Sequence, residues 1–144
     1  MIEVLTVFVS LTAIIISIIT FLFTYRREKV RDTIKAYADL QEDLYQFYEY
    51  QEGEIETFVD DRQSEEYKAL SSSLAQIEVY ATGVKCGLYD FKTMYGIAHG
   101  YIDGSLRDRI EYMLDMKTFG SNQYYKNTRW LLEKMDRKTK NTMR

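Results

Sequence analysis

The chain has 144 residues, with 19 Lys and Arg against 22 Asp and Glu and a formal net charge of −3. That balance, without basic–aromatic interleaving, argues against a nucleic-acid surface. A single cysteine, Cys86, permits no intrachain disulfide, and with the single histidine, His99, it cannot build a Cys/His metal site, which needs several such ligands.

Val4 to Tyr25 is a run of 22 residues without a charge, a proline or a glycine. At ~1.5 Å of rise per residue, about twenty helical residues span the ~30 Å hydrocarbon core of a bilayer. Inside hydrocarbon each backbone amide needs a partner within its own segment, so the run is predicted to be a transmembrane helix. A cleaved signal peptide is the rival reading. It requires a basic start, a short apolar centre and a small-x-small cleavage site. Met1-Ile2-Glu3 carries no basic residue, and Phe21-Leu22-Phe23-Thr24-Tyr25 lacks the small pair. A buried core helix is the other alternative.

Arg26, Arg27, Lys29, Arg31 and Lys35 follow the run, against Glu3 alone before it. Lys and Arg near a membrane helix stay in the cytoplasm. The expected topology is an anchor over 1–25 in the inner membrane, N-terminus outside, and a cytoplasmic domain over 26–144. Within the anchor, Thr6, Ser10, Ala13, Ser17, Thr20 and Thr24 recur every four and three residues. Small and hydroxyl residues let membrane helices approach closely, so this seam is a candidate contact with a second copy or another membrane protein. The plainer reading is that each hydroxyl bonds back to a carbonyl one turn earlier.

No Gly or Pro interrupts the chain from Val4 to Glu52, so the helix is expected to continue below the membrane. Val30, Ile34, Tyr37, Gln41, Leu44 and Tyr48 form its predicted inward stripe, and Gly53 a plausible stop. Residues 39–66 hold eleven acids and one base, whereas 126–144 hold seven bases and two acids. The two segments are expected to attract one another, or the basic tail to lie on anionic lipid; a solvated acidic loop and a frayed tail are the alternative. The acids lack the alternating ligands and central glycine of a calcium loop.

A second helix is predicted from about Ser64 to Cys86, burying Tyr67, Leu70, Leu74, Ile77, Ala81 and Val84. Gly87 ends it, and Asp90 is placed to cap a helix carrying Met94, Tyr95 and Ala98. Gly96 is read as a close-contact site and Gly100–Gly104 as a break. Ser105 is expected to cap a helix burying Leu106, Ile110, Met113 and Leu114. Gly120 ends that helix, and Ser121 opens a last one carrying Tyr124, Thr128, Leu131, Leu132 and Met135. The fold class is therefore all-α: a transmembrane helix continuing into a juxtamembrane helix, then a small cytoplasmic bundle.

Among the charges, Glu78 lies within an apolar stretch of the second helix. A buried carboxylate needs a partner, and Arg107, Arg109 and Arg129 are the candidates. A structural ion pair of Glu78 with Arg129 is the expected one, with a water-exposed rim position as the alternative. No nucleophile, acid–base pair or phosphate loop is recognisable, so no catalytic, cofactor or metal residue is assigned.

Glu78-Val79-Tyr80-Ala81-Thr82-Gly83-Val84, Gly87-Leu88-Tyr89-Asp90, Tyr95-Gly96 and Arg129-Trp130-Leu131-Leu132 resemble a recurrent pattern. It belongs to a family of small bacterial and phage proteins with one N-terminal membrane helix, a cytoplasmic helical domain and no assigned function. The resemblance implies Glu78, Gly83, Gly87 and Asp90 as scaffold positions, and a phage–host or stress setting. The expected function is a non-enzymatic, single-pass membrane protein presenting a helical interaction module, with membrane lipid and a second copy or a membrane protein as partners. The alternative is an effector that oligomerises and permeabilises the bilayer.

Overall fold

One helix runs from the first described residue into the heart of the bundle. The computed structural model describes residues 2–50, 52–102, 104–116 and 124–142. Six α-helices, and no strand, occur among them: α1 Ile2–Glu49, α2 Glu52–Asp60, α3 Glu65–Lys85, α4 Phe91–Ile102, α5 Ser105–Asp115 and α6 Lys126–Thr142. The ends predicted at Gly120 and Ser121 lie outside the described residues.

α1 passes from Tyr25 to Arg26 without a break. Its apolar part is long enough to cross a membrane, and none of that stretch is buried against the rest of the protein. Val7, Phe8, Leu11, Ile14, Ile18 and Phe21 all stand open. This removes the buried-core alternative, because a core helix must have its apolar surface covered. Three hydroxyls inside the segment bond within the helix: Ser10 Oγ to the Thr6 carbonyl at 2.9 Å, Thr12 to Phe8 at 2.9 Å, and Ser17 to Ala13 at 2.8 Å.

Below Arg26 the same helix turns a different face inward. Thr33, Tyr37, Leu40, Leu44 and Phe47 are buried, at four- and three-residue spacing. The predicted stripe shares only Tyr37 and Leu44 with it. Ile34 is 48% exposed and Tyr48 37% exposed. The bundle uses Leu40 and Phe47 where the prediction placed Gln41 and Tyr48, and it accepts polar Thr33 because that hydroxyl has a structural bond to make.

The acidic segment is helical rather than a loop: it forms the end of α1, all of α2 and the start of α3. Ile55 of α2 is fully buried and Tyr50 meets Phe58 edge-on at 5.0 Å, which folds this turn back onto the core. Gly53 is therefore not the stop of α1, which ends at Glu49; it sits in the first turn of α2. Ser64 caps α3 by accepting from the Tyr67 amide at 3.1 Å. Leu70, Leu74, Ile77, Ala81 and Val84 are buried as predicted, as are Met94 and Ala98 of α4, the four predicted residues of α5, and Thr128, Leu131, Leu132 and Met135 of α6. Tyr124 is instead 74% exposed and precedes α6. α4 continues through Gly100 to Ile102, and the residue capping α5 is Gly104, with Ser105 its first helical residue.

The α3–α4 connection explains two of the glycines. Gly87 has φ +78°, the left-handed conformation that costs an L-residue ~1–2 kcal/mol. Its amide bonds to the Val84 carbonyl at 3.2 Å and that of Leu88 to the Gly83 carbonyl at 2.9 Å, closing α3 with the paired bonds of a Schellman turn. At Gly83 a Cβ would lie 2.5 Å from the Tyr89 ring, so this glycine admits the ring against α3. Gly96 is the correction: a Cβ there meets nothing within 4 Å, so it is an exposed helical glycine and no close-contact site.

These three positions predict opposite signs in thermal melts of the full chain. Gly83→Ala and Gly87→Ala should each destabilise by about 1–3 kcal/mol, whereas Gly96→Ala should stabilise by up to ~1 kcal/mol through helix propensity. A loss at Gly96 equal to that at Gly83 would show an unseen contact there.

Candidate functional site

The charges that sequence reasoning singled out converge on helix ends. An α-helix leaves its first amides and last carbonyls without internal partners and carries partial charge at both. Glu78, half-buried on α3, reaches the first turn of α6. Its Oε1 accepts from the Asn127 amide at 3.2 Å, and Oε2 accepts from the Thr128 amide at 2.8 Å and hydroxyl at 2.9 Å. Asn127 reinforces the junction by donating to Thr82 Oγ1 at 2.8 Å and accepting from Lys85 Nζ at 2.8 Å. Glu78 thus caps a helix from which it is 48 or more residues distant in sequence.

The expected Glu78–Arg129 ion pair does not occur among the described residues. Arg129 turns to the other end of a helix, where it pairs with Asp115 at 3.0 Å and donates to the Leu114 carbonyl of α5. Arg109 likewise donates to the Phe47 carbonyl in the last turn of α1. Arg107 joins α5 to α6 by bonding both Asp136, at 2.7 Å from Nη2 to Oδ2, and Glu111, at 2.8 Å. The three arginines considered as partners of Glu78 are therefore engaged elsewhere. A backbone amide satisfies a carboxylate as well as a cation does, and spacing alone does not reveal which amides lie free nearby.

A second junction ties the α3–α4 turn to α1. Thr33 Oγ1 donates to the Lys29 carbonyl at 2.7 Å and accepts from the Asp90 amide at 2.8 Å. Asp90 caps α4 as predicted, accepting from the Thr93 amide at 2.7 Å and hydroxyl at 2.8 Å. Burial alone would raise the Asp90 carboxyl. The two bonds from Thr93 and the charges of Lys29 and Arg26 outweigh it and hold the group below the usual carboxylate range.

Beside this junction three tyrosines pack in series. Tyr37 meets Tyr80 at 6.2 Å between ring centres, and Tyr80 stacks on Tyr89 at 5.2 Å. Burial, with Tyr101 and Tyr48 adding to it, pushes the Tyr37 phenol up to about 12. Burial, Tyr37 and Tyr89 push Tyr80 higher still. These phenols stay protonated across the physiological range. Next to them a cleft of about 260 Å³ opens between α1 and α3, with Asp39, Asp43, Gln76 and Val79 on its walls.

Of the remaining assigned residues, Thr6, Ser10, Ala13, Ser17, Thr20 and Thr24 lie on the exposed part of α1, with no other element against them. Cys86 is exposed at the end of α3, and His99 lies against Tyr95 at 5.0 Å on α4. No group of three His, Cys, Asp or Glu is arranged to hold a metal ion among the described residues. The chemistry visible in the bundle is capping and packing.

A family model, the domain of unknown function DUF4760, matches residues 6–135. The chain belongs to the DUF4760 family. The match takes in most of the apolar part of α1 as well as the bundle down to Met135. No curated protein and no solved structure matches the chain.

The two carboxylates that hold helix N-termini should matter where an exposed one does not. Glu78→Ala should destabilise by about 1–3 kcal/mol and Asp90→Ala by about 0.5–2 kcal/mol. Glu65, 88% exposed and paired with Lys68, should contribute about 0–1 kcal/mol. Because the folded Asp90 pKa is depressed, its stabilisation is present above the ordinary aspartate pKa and lost as pH falls through the lowered one. Melts of wild type and Asp90→Ala across the acid range should therefore converge at low pH.

Proposed function

We propose that this DUF4760 protein is a non-enzymatic, single-pass membrane protein that presents a helical interaction module on the cytoplasmic side of the inner membrane. The observation that carries the reading is the division of α1. Its first half exposes apolar side chains with nothing from the protein to cover them, and its second half forms the wall of a core. A bilayer covers the first kind of surface, and a bundle built on the second has its position set by the anchor. The basic residues from Arg26 to Lys35 support a cytoplasmic bundle. The phage–host or stress setting rests on the family resemblance.

Fusions at the C-terminus test the topology. A reporter active only in the cytoplasm should be active, and one active only in the periplasm silent; the reverse pattern would place the bundle outside.

The partner engaged within the membrane is a second copy or another membrane protein, meeting the face of Thr6, Ser10, Ala13, Ser17, Thr20 and Thr24. Since the observed hydroxyl bonds run back along the helix, close packing rather than bonding across the contact would hold it. In a membrane two-hybrid assay of the full chain, Ser10→Leu with Ser17→Leu should weaken self-association, and Ile15→Leu with Ile18→Leu should not. An unchanged signal from both pairs rules out the self-contact.

A further inference from the structure

The α3–α4 turn is the part of the bundle set at the head of the α1 core stripe. Thr33 bonds the Asp90 amide, and a Cβ on Gly87 would lie 4.0 Å from Lys29 Nζ. Lys29 and Thr33 follow Tyr25 by four and eight residues, so they stand about 6 and 12 Å further along the helix axis. With Tyr25 at the interface, the turn lies within the headgroup layer or one Debye length of it, a distance of about 8–10 Å.

The turn is equipped for that position. Leu88 is 64% exposed at its tip, although an aliphatic side chain there has nothing to gain from water. Lys92 stands after it and Lys85 before it, both exposed, although the Lys85 ammonium also donates to Asn127 at 2.8 Å, and no acid occurs from residue 79 to residue 89. Within the turn the one carboxylate, Asp90, is occupied by Thr93 at the start of α4, and on the adjoining part of α1 Asp32 pairs with Arg31 at 3.6 Å. The acid-rich segment lies away from this end, along α2 and the far parts of α1 and α3.

We infer that the turn from Lys85 to Lys92 is a lipid-docking surface, which seats Leu88 among anionic phospholipid headgroups and holds the bundle against the membrane. The inference rests on the anchor reading above and deepens it. The surface commits to a bilayer because the occupant must be negatively charged, accept an aliphatic side chain and lie at a height fixed by the rise of α1. Each lysine close to such a surface favours contact roughly fivefold, and withdrawing the leucine side chain from water adds roughly tenfold.

Cys86, the single cysteine of the chain and exposed, reports on this directly. The full chain, carrying an environment-sensitive fluorophore on Cys86, is reconstituted in vesicles of phosphatidylcholine with or without phosphatidylglycerol, each containing a headgroup-nitroxide lipid. Flotation measures anchoring, and quenching measures docking. Strong quenching is expected only with phosphatidylglycerol, and Leu88→Ser and Lys92→Gln should reduce the docked fraction while the protein still floats. Both substitutions are at exposed positions, and circular dichroism checks that the helices persist. Flotation with the same quenching in both lipids, or quenching indifferent to both variants, would show that the turn stays in water and overturn the docking alone. Protein that fails to float would overturn the anchor reading and the docking together.

Discussion

α1 runs as one unbroken helix from an uncovered apolar half into the core of the bundle, and the rest of the molecule depends on that continuity. A helix satisfies its own amides and carbonyls, so it needs no protein neighbour along its apolar half. The same self-sufficiency makes the lower half a rigid post for other elements. Tyr37 receives Tyr80 of α3, Thr33 receives the turn before α4, Tyr48 donates to the Tyr101 carbonyl of α4 at 3.3 Å, and the Phe47 carbonyl receives Arg109 of α5. A break between Tyr25 and Thr33 would separate whatever holds the upper half from all of these contacts.

Charge in this bundle works chiefly at helix termini. Asp90 and Glu78 serve the N-terminal ends of α4 and α6; Arg109 and Arg129 serve the C-terminal ends of α1 and α5. Each places a charge where the helix dipole favours it and satisfies backbone groups that the helix cannot satisfy itself. The short helices α4 and α5, of 12 and 11 residues, gain most, since isolated helices of their length are marginal in water.

Much of the architecture was legible in the chain because local rules govern it. The uninterrupted run from Val4 to Tyr25 required a helix, and the spacing from Leu70 to Val84 identified the inward face of α3. Gly87 and Asp90 marked a helix end and a helix start through chemistry that acts over three or four residues. Other local readings failed, as at Gly53, Gly96, Gly100 and Ser105, and two were incomplete. α2 was hidden in an acid-rich stretch with few apolar residues, Ile55 and Phe58 among them, and the α1 stripe was rotated because Tyr37 and Leu44 fit either choice of neighbours.

What the tertiary structure alone decided is which distant groups meet. Sequence marked Glu78 as a carboxylate in need of a partner, yet the partner is a pair of amides and a hydroxyl at the start of α6, supplied only once α6 packs across α3. It likewise gave no sign that polar Thr33 would be buried, since its value lies in an Asp90 amide 57 residues away. Helix ends that rest on hydrogen bonds within a few residues, such as those at Gly87 and Asp90, were determined by the sequence by itself. The pairing of ends with charges follows from how the described helices close around one core, where burial decides the packing and the polar groups bond whatever that packing brings within reach.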